Sequence, residues 1–130
     1  MYFQEKSQIM LEICVHALED LYKQLEAITV HEREPVQKVR AVLEVLLRFG
    51  FEQPTAYQLL YCVAPKDVNE RRNNVIAPLT RSCFERPFPA VEAAVAAGKM
   101  REDMPPRAMT ECLIAACHGL VSIRDRKSVV

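Results

Sequence analysis

The sequence predicts an all-α fold, a bundle of about six helices that takes in residues 1–130 as one domain. Three observations point there. Glycine is scarce, at three residues in 130. No stretch alternates apolar and polar side chains as a half-buried strand would, and apolar residues instead recur at three- and four-residue intervals between prolines. Half of the residues are hydrophobic, too many for a disordered tail.

The first helix is expected from about Ser7 to Ile28. Ile9, Ile13, Ala17, Leu21, Leu25 and Ile28 make its stripe, widened by Met10, Cys14, Leu18 and Tyr22. A face that broad needs partners on more than one side. Pro35 suits the first position of a second helix, where its missing N–H costs nothing. That helix carries Val36, Val39, Val42, Leu43, Leu46, Leu47 and Phe49, and it ends near Gln53 because Pro54 disfavours α geometry in the residue before it. A short third helix, from about Thr55 to Val63, holds Tyr57, Leu60 and Tyr61 and stops at Pro65. Asp67 followed by Glu70 reads as a capping box that opens a fourth. It continues through Val75, Ile76, Leu79, Cys83 and Phe84, with a kink at Pro78.

Residues Pro89 to Ala97 spell a helix of small side chains, closed by Gly98 as a C-cap with Lys99 beside the negative helix end. Pro105-Pro106 opens the last helix, which reaches about Lys127. Met109, Leu113, Ala116, Leu120 and Ile123 make one apolar stripe, and Cys112, Ile114, Cys117 and Val121 carry it round most of the circumference. Such a helix has to be covered on nearly every side. Its own bundle covers one. The small residues of its neighbour and the bare Gly119 permit close helix packing, so the two terminal helices are expected to pair with their twins as a four-helix bundle. The expected interface is Val91, Ala94, Val95, Leu113, Ala116, Cys117, Gly119 and Leu120. Burial within the chain alone is the alternative.

Composition removes several classes of function. The chain has 17 basic and 17 acidic side chains and no net charge, whereas phosphate neutralisation gives a free-standing nucleic-acid binder a basic excess. No apolar run approaches the ~20 residues that cross a bilayer, and Glu5 and Lys6 interrupt anything resembling a leader. Cys14, Cys62, Cys83, Cys112 and Cys117 are odd in number and irregularly spaced, which fits reduced thiols in the cytoplasm. Cys117 beside His118, and Cys14 two residues from His16, suggest nucleophile pairs, but side chains one or two apart on a helix diverge. No Cys-x-x-Cys occurs, and Cys112, Cys117 and His118 share no helical face. No catalytic residue, metal site or cofactor is expected, and the chain is not read as an enzyme. His16 and His118 are expected in a largely apolar interior, as hydrogen-bonded core residues or as polar contacts to a ligand.

Three segments, in order, resemble the TetR family of bacterial one-component regulators. Tyr2-Phe3-Gln4-Glu5-Lys6-Ser7-Gln8-Ile9 is similar to the Tyr-Phe-x-x-Lys-x-x-Leu junction that follows the recognition helix. Leu47-Arg48-Phe49-Gly50-Phe51-Glu52-Gln53-Pro54, then Tyr57 and Leu59-Leu60-Tyr61, resembles the stretch joining two pocket helices. Ala93-Ala94-Val95-Ala96-Ala97-Gly98-Lys99-Met100-Arg101, with Asp103, Pro105-Pro106 and Ala116-Cys117-His118-Gly119-Leu120, resembles the family's Gly-turn and its closing Trp-His-Gly-type helix. The resemblance implies an effector-sensing and dimerising C-terminal domain, with residues 1–6 as the junction to a missing DNA-binding head. It implies a homodimer that meets DNA only through that head and a repressor released by a small, mainly apolar effector. His16, Phe49, Tyr57, Tyr61 and Phe84 then border the effector pocket, among the first four helices. A helical protein–protein interaction module is the competing expectation.

Overall fold

The computed structural model describes the backbone over residues 2–61 and 75–129 and the side chains of residues 6, 8–58 and 75–124. Among these residues there are six α-helices and no strand. They are α1 (Tyr2–His31), α2 (Pro35–Glu52), α3 (Pro54–Tyr61), α4 (Ala77–Phe84), α5 (Pro87–Ala96) and α6 (Pro106–Val129). The all-α expectation holds. The Asp67–Glu70 capping box lies outside the described residues.

Helix α1 runs for 30 residues. Its buried stripe is Leu11, Cys14, Val15, Leu18, Leu21 and Leu25, while Ile9 and Ile13 are exposed. This corrects the expected stripe. Four residues turn a helix by about 400°, so a row at four-residue steps drifts about 40° each time and from Ile9 to Leu21 leaves its face. Alternating steps of three and four from Leu11 hold one face.

Helix α2 is the hub and packs on α1, α3, α5 and α6. The Glu34 carboxylate caps it by accepting from the Gln37 N–H at 2.7 Å, and Pro35 opens its first turn. The same Glu34 side chain pairs with Lys99 at 3.1 Å. One core lies between α1, α2, α3 and α4, built on Leu18, Leu21, Leu46, Phe49, Tyr57 and Cys83, and it takes in Val121 of α6. A second lies between α2, α5 and the start of α6, around Val39, Ala90, Val91 and Met109.

At Gly50, α2 and α6 approach closely. A Cβ there would stand 2.5 Å from Val121 Cγ2 and 3.3 Å from Tyr57 Cε2. Pro78 falls in the first turn of α4, where the lost N–H is harmless, and the residues before 75 that the expected kink would join to it lie outside the described residues. Helix α5 ends as its sequence predicts. Gly98 takes φ 72°, and the Lys99 and Gly98 N–H groups donate to the Ala94 and Val95 carbonyls at 2.9 and 3.0 Å, the paired bonds of a Schellman cap.

Candidate functional site

Two features of α6 stand out, one on each side of the stripe that it buries. Met109, Thr110 and Val121 are buried, and Leu113, Ile114 and Cys117 are half-buried. The Thr110 hydroxyl donates to the Pro106 carbonyl at 2.8 Å, so its burial leaves no polar group stranded.

The first feature is a groove of about 400 Å³ between α4 and α6. Phe84, Ile114 and Ala115 supply its apolar surface, and Arg81, Glu85, Arg107, Thr110, Glu111 and His118 its polar one. Arg107 closes one end by donating to Glu85 at 2.6 Å while its guanidinium lies 3.9 Å from the Phe88 ring centroid. His118, exposed further along α6, meets Tyr57. The Tyr57 hydroxyl and His118 Nδ1 are 2.6 Å apart, and the two rings stack with centroids 5.7 Å apart at 25°. Which partner donates depends on the imidazole tautomer. Tyr57 itself is buried, with its ring tilted at 57° to Phe49 and centroids 6.4 Å apart. A core aromatic thus ends in a polar contact at the groove.

The second feature is an uncovered apolar face. Cys112 and Ala116 are exposed, as are Leu120 at 53% and Ile123 at 56%. At three- and four-residue spacings these side chains lie on one side of the helix, together with Gly119. On α5 the exposed residues are Pro89, Glu92, Ala93 and Ala96. Nothing lies within 4 Å of where a Gly119 Cβ would stand. A glycine inside a helix costs about 1 kcal/mol relative to alanine, and packing within the chain gives no return for it.

The family described as "Tetracyclin repressor-like, C-terminal domain" matches residues 39–128. The chain belongs to this TetR family of C-terminal domains. No curated protein and no solved structure matches it.

Of the five residues expected at the pocket of this TetR-type domain, Phe49, Tyr57 and Phe84 gather around one core while His16 stands apart. His16 is on the outer side of α1, its side chain 79% exposed and 3.8 Å from Glu19. It stands two residues from both Cys14 and Leu18, about 200° round the helix from each, so it cannot share their buried face. The expectation of an apolar interior fails for His16, and also for His118, which is exposed on α6 although its ring meets Tyr57. Phe49 and Tyr57 meet in the core, and Phe84 lines the α4–α6 groove. The Tyr61 side chain lies outside the described residues. Phe49 also borders a cleft of about 90 Å³ between α1 and α2, too small for more than a few waters.

Of the expected interface residues, Ala116, Gly119 and Leu120 are on the uncovered face, and Val95, Leu113 and Cys117 at its half-buried margin. Val91 and Ala94 are fully buried in the TetR-type domain's own interior. Helix α5 is apolar except for Glu92, which marks the outward side; the side turned inward carries Pro87, Ala90, Val91 and Ala94.

Arg81, Arg107, Thr110, Glu111 and Ile114 were not expected at a site. The readable signal was the row Thr110, Ile114, His118 at steps of four, a mixed polar and apolar ridge beside the apolar one. No three His, Cys, Asp or Glu among the described residues are grouped to hold a metal. Cys14 and Cys83 are buried, with their sulfurs 3.9 and 3.8 Å from the Ala56 and Leu18 carbonyls. Burial pushes the Cys83 thiol up to about 11, against the opposing charge of Arg86, and burial likewise raises Cys117.

Proposed function

We propose that the chain is the effector-sensing and dimerising part of a cytoplasmic TetR-family transcriptional regulator, a repressor that leaves DNA when a small, mainly apolar ligand binds. Its role is regulatory, not catalytic. The observation that carries this reading is the apolar face of α6, with Leu120 and Ile123 more than half exposed around a glycine that nothing approaches. Paired with its twin, α6 would bury that face beside α5 and bring the two copies into a fixed relation. DNA would be met only through a head joined to the start of α1, one on each half-site.

The effector site is assigned to the groove at Phe84 and His118, whose volume of about 400 Å³ lies within the range of small-molecule sites. A ligand that competes for His118 would disturb its bond to Tyr57. Tyr57 follows Ala56, whose carbonyl faces the Cys14 sulfur on α1 at 3.9 Å, so the disturbance reaches the helix that leads to the head. Differential affinity for two arrangements of α1 would then set DNA occupancy.

Thermal melting with a panel of small amphipathic compounds tests the effector reading. A ligand at 100 times its Kd stabilises by about 2.7 kcal/mol, and His118→Ala should abolish the gain. Shifts that survive His118→Ala, or a panel without any shift, would reject the groove as the effector site.

A further inference from the structure

The groove between α4 and α6 has an uneven pattern of charge. At its end Glu85 and Arg107 pair across it at 2.6 Å. One helical turn further in, the next rung is Arg81 on α4 and Glu111 on α6, because four residues return a side chain to the same helix face. Both line the groove, and both are exposed. The ion pairs among the described residues do not include one between them. The inner rung therefore keeps a cation on one wall and an anion on the other, flanking the apolar surface of Phe84 and Ile114.

Opposite charges on facing walls complement a ligand with a dipolar head on a flat apolar body. We infer that the groove takes an aromatic α-amino acid or a close zwitterionic relative. Its carboxylate meets Arg81, its ammonium group meets Glu111, and its ring lies on Phe84 and Ile114. A simple anion would gain Arg81 but face Glu111, and a simple cation the reverse. A neutral body would leave both charges without a partner from the ligand. The groove as a whole is balanced, with two arginines and two glutamates, so it has no preference for a polyion. This inference rests on the effector reading above and narrows it to a ligand class.

Four probes share a phenylethyl body and differ in the charge of the head: phenylalanine, 3-phenylpropionate, phenethylamine and 2-phenylethanol. Titration calorimetry and the His118 imidazole NMR signals report binding at the groove. Phenylalanine should bind about fivefold more tightly than each singly charged probe, the upper range for one exposed charge pair, and up to about 25-fold more tightly than 2-phenylethanol, which lacks both pairs. Arg81→Gln and Glu111→Gln should each cost about fivefold, and exposure of both side chains keeps the fold out of the comparison. The paired exchange Arg81→Glu with Glu111→Arg should recover most of the binding, since a dipolar head can turn round. Equal or tighter binding of any other probe, indifference to the substitutions, or no binding by all four would overturn the ligand class. The effector reading stands apart, because it is decided by the wider compound panel and its dependence on His118, not by these four probes.

Discussion

Replacing Gly50 with alanine would set α2 against α6. The added Cβ would stand 2.5 and 3.0 Å from the two methyl carbons of Val121 and 3.3 Å from Tyr57 Cε2. Apolar carbons rest at about 3.5–4.0 Å, so the helices would have to separate by about 1 Å. Val121 cannot yield by rotating, because its methyls both branch at Cβ and one replaces the other. Tyr57 is held by His118 at 2.6 Å. Overpacking of this kind costs about 1–3 kcal/mol, and two stiff neighbours place it in the upper half of that range. Alanine returns about 1 kcal/mol of helix propensity. The expected net loss is about 1–2 kcal/mol, or roughly 3–10 °C in Tm. Urea unfolding followed by circular dichroism, at one fixed protein concentration, would measure it. Val121→Ala should then relieve part of the Gly50→Ala cost, a coupling of about 1 kcal/mol in a double-mutant cycle. A Gly50→Ala variant as stable as the parent, or more so, would refute the close approach of α2 and α6.

Three further outcomes are expected. Tyr57→Phe should cost about 0.5–1.5 kcal/mol and shift the NMR signals of His118; unchanged signals would place the hydroxyl elsewhere. With its thiol near 11, Cys83 should resist alkylation at pH 8, when only about 0.1% of it is thiolate, while exposed Cys112 reacts first by mass spectrometry; equal rates would contradict the burial. Glu34 is held below the ordinary carboxylate range by the Gln37 N–H and then by Lys99. Its advantage over Glu34→Gln should be full above the unfolded-state pKa and vanish as pH falls through the lower folded value; a difference that persists in acid would point away from the cap.

Punctuation was the most legible part of the fold. Pro35, Pro54, Pro106 and Gly98 mark helix ends because each acts through its own backbone, whatever surrounds it. The faces were harder to read. On α1, apolar residues on two sides allowed two stripes, and packing on α2 selected the one from Leu11 to Leu25. On α5 the single charge, Glu92, is a weak signal among small apolar residues, and only the tertiary fold shows that Val91 and Ala94 point inward. The candidate site was legible in Phe84 and, in part, in His118. It was not legible in Arg81 and Glu111, since such residues read as solvated faces until two helices set them across a groove. The Tyr57–His118 bond joins residues 61 apart in sequence, a separation that no local pattern encodes.

Sedimentation velocity at tens of micromolar tests the central claim most directly. A stable interface buries ~800 Å² on each partner, which the exposed faces of α5 and α6 could supply together. The chain should sediment as a dimer. Leu120→Glu should yield a folded monomer, because pairing would bury a carboxylate against apolar surface. Gly119→Ala should weaken the dimer while stabilising the helix of the separated chain, since nothing there meets the new methyl. A well-folded wild-type monomer under these conditions would contradict the account.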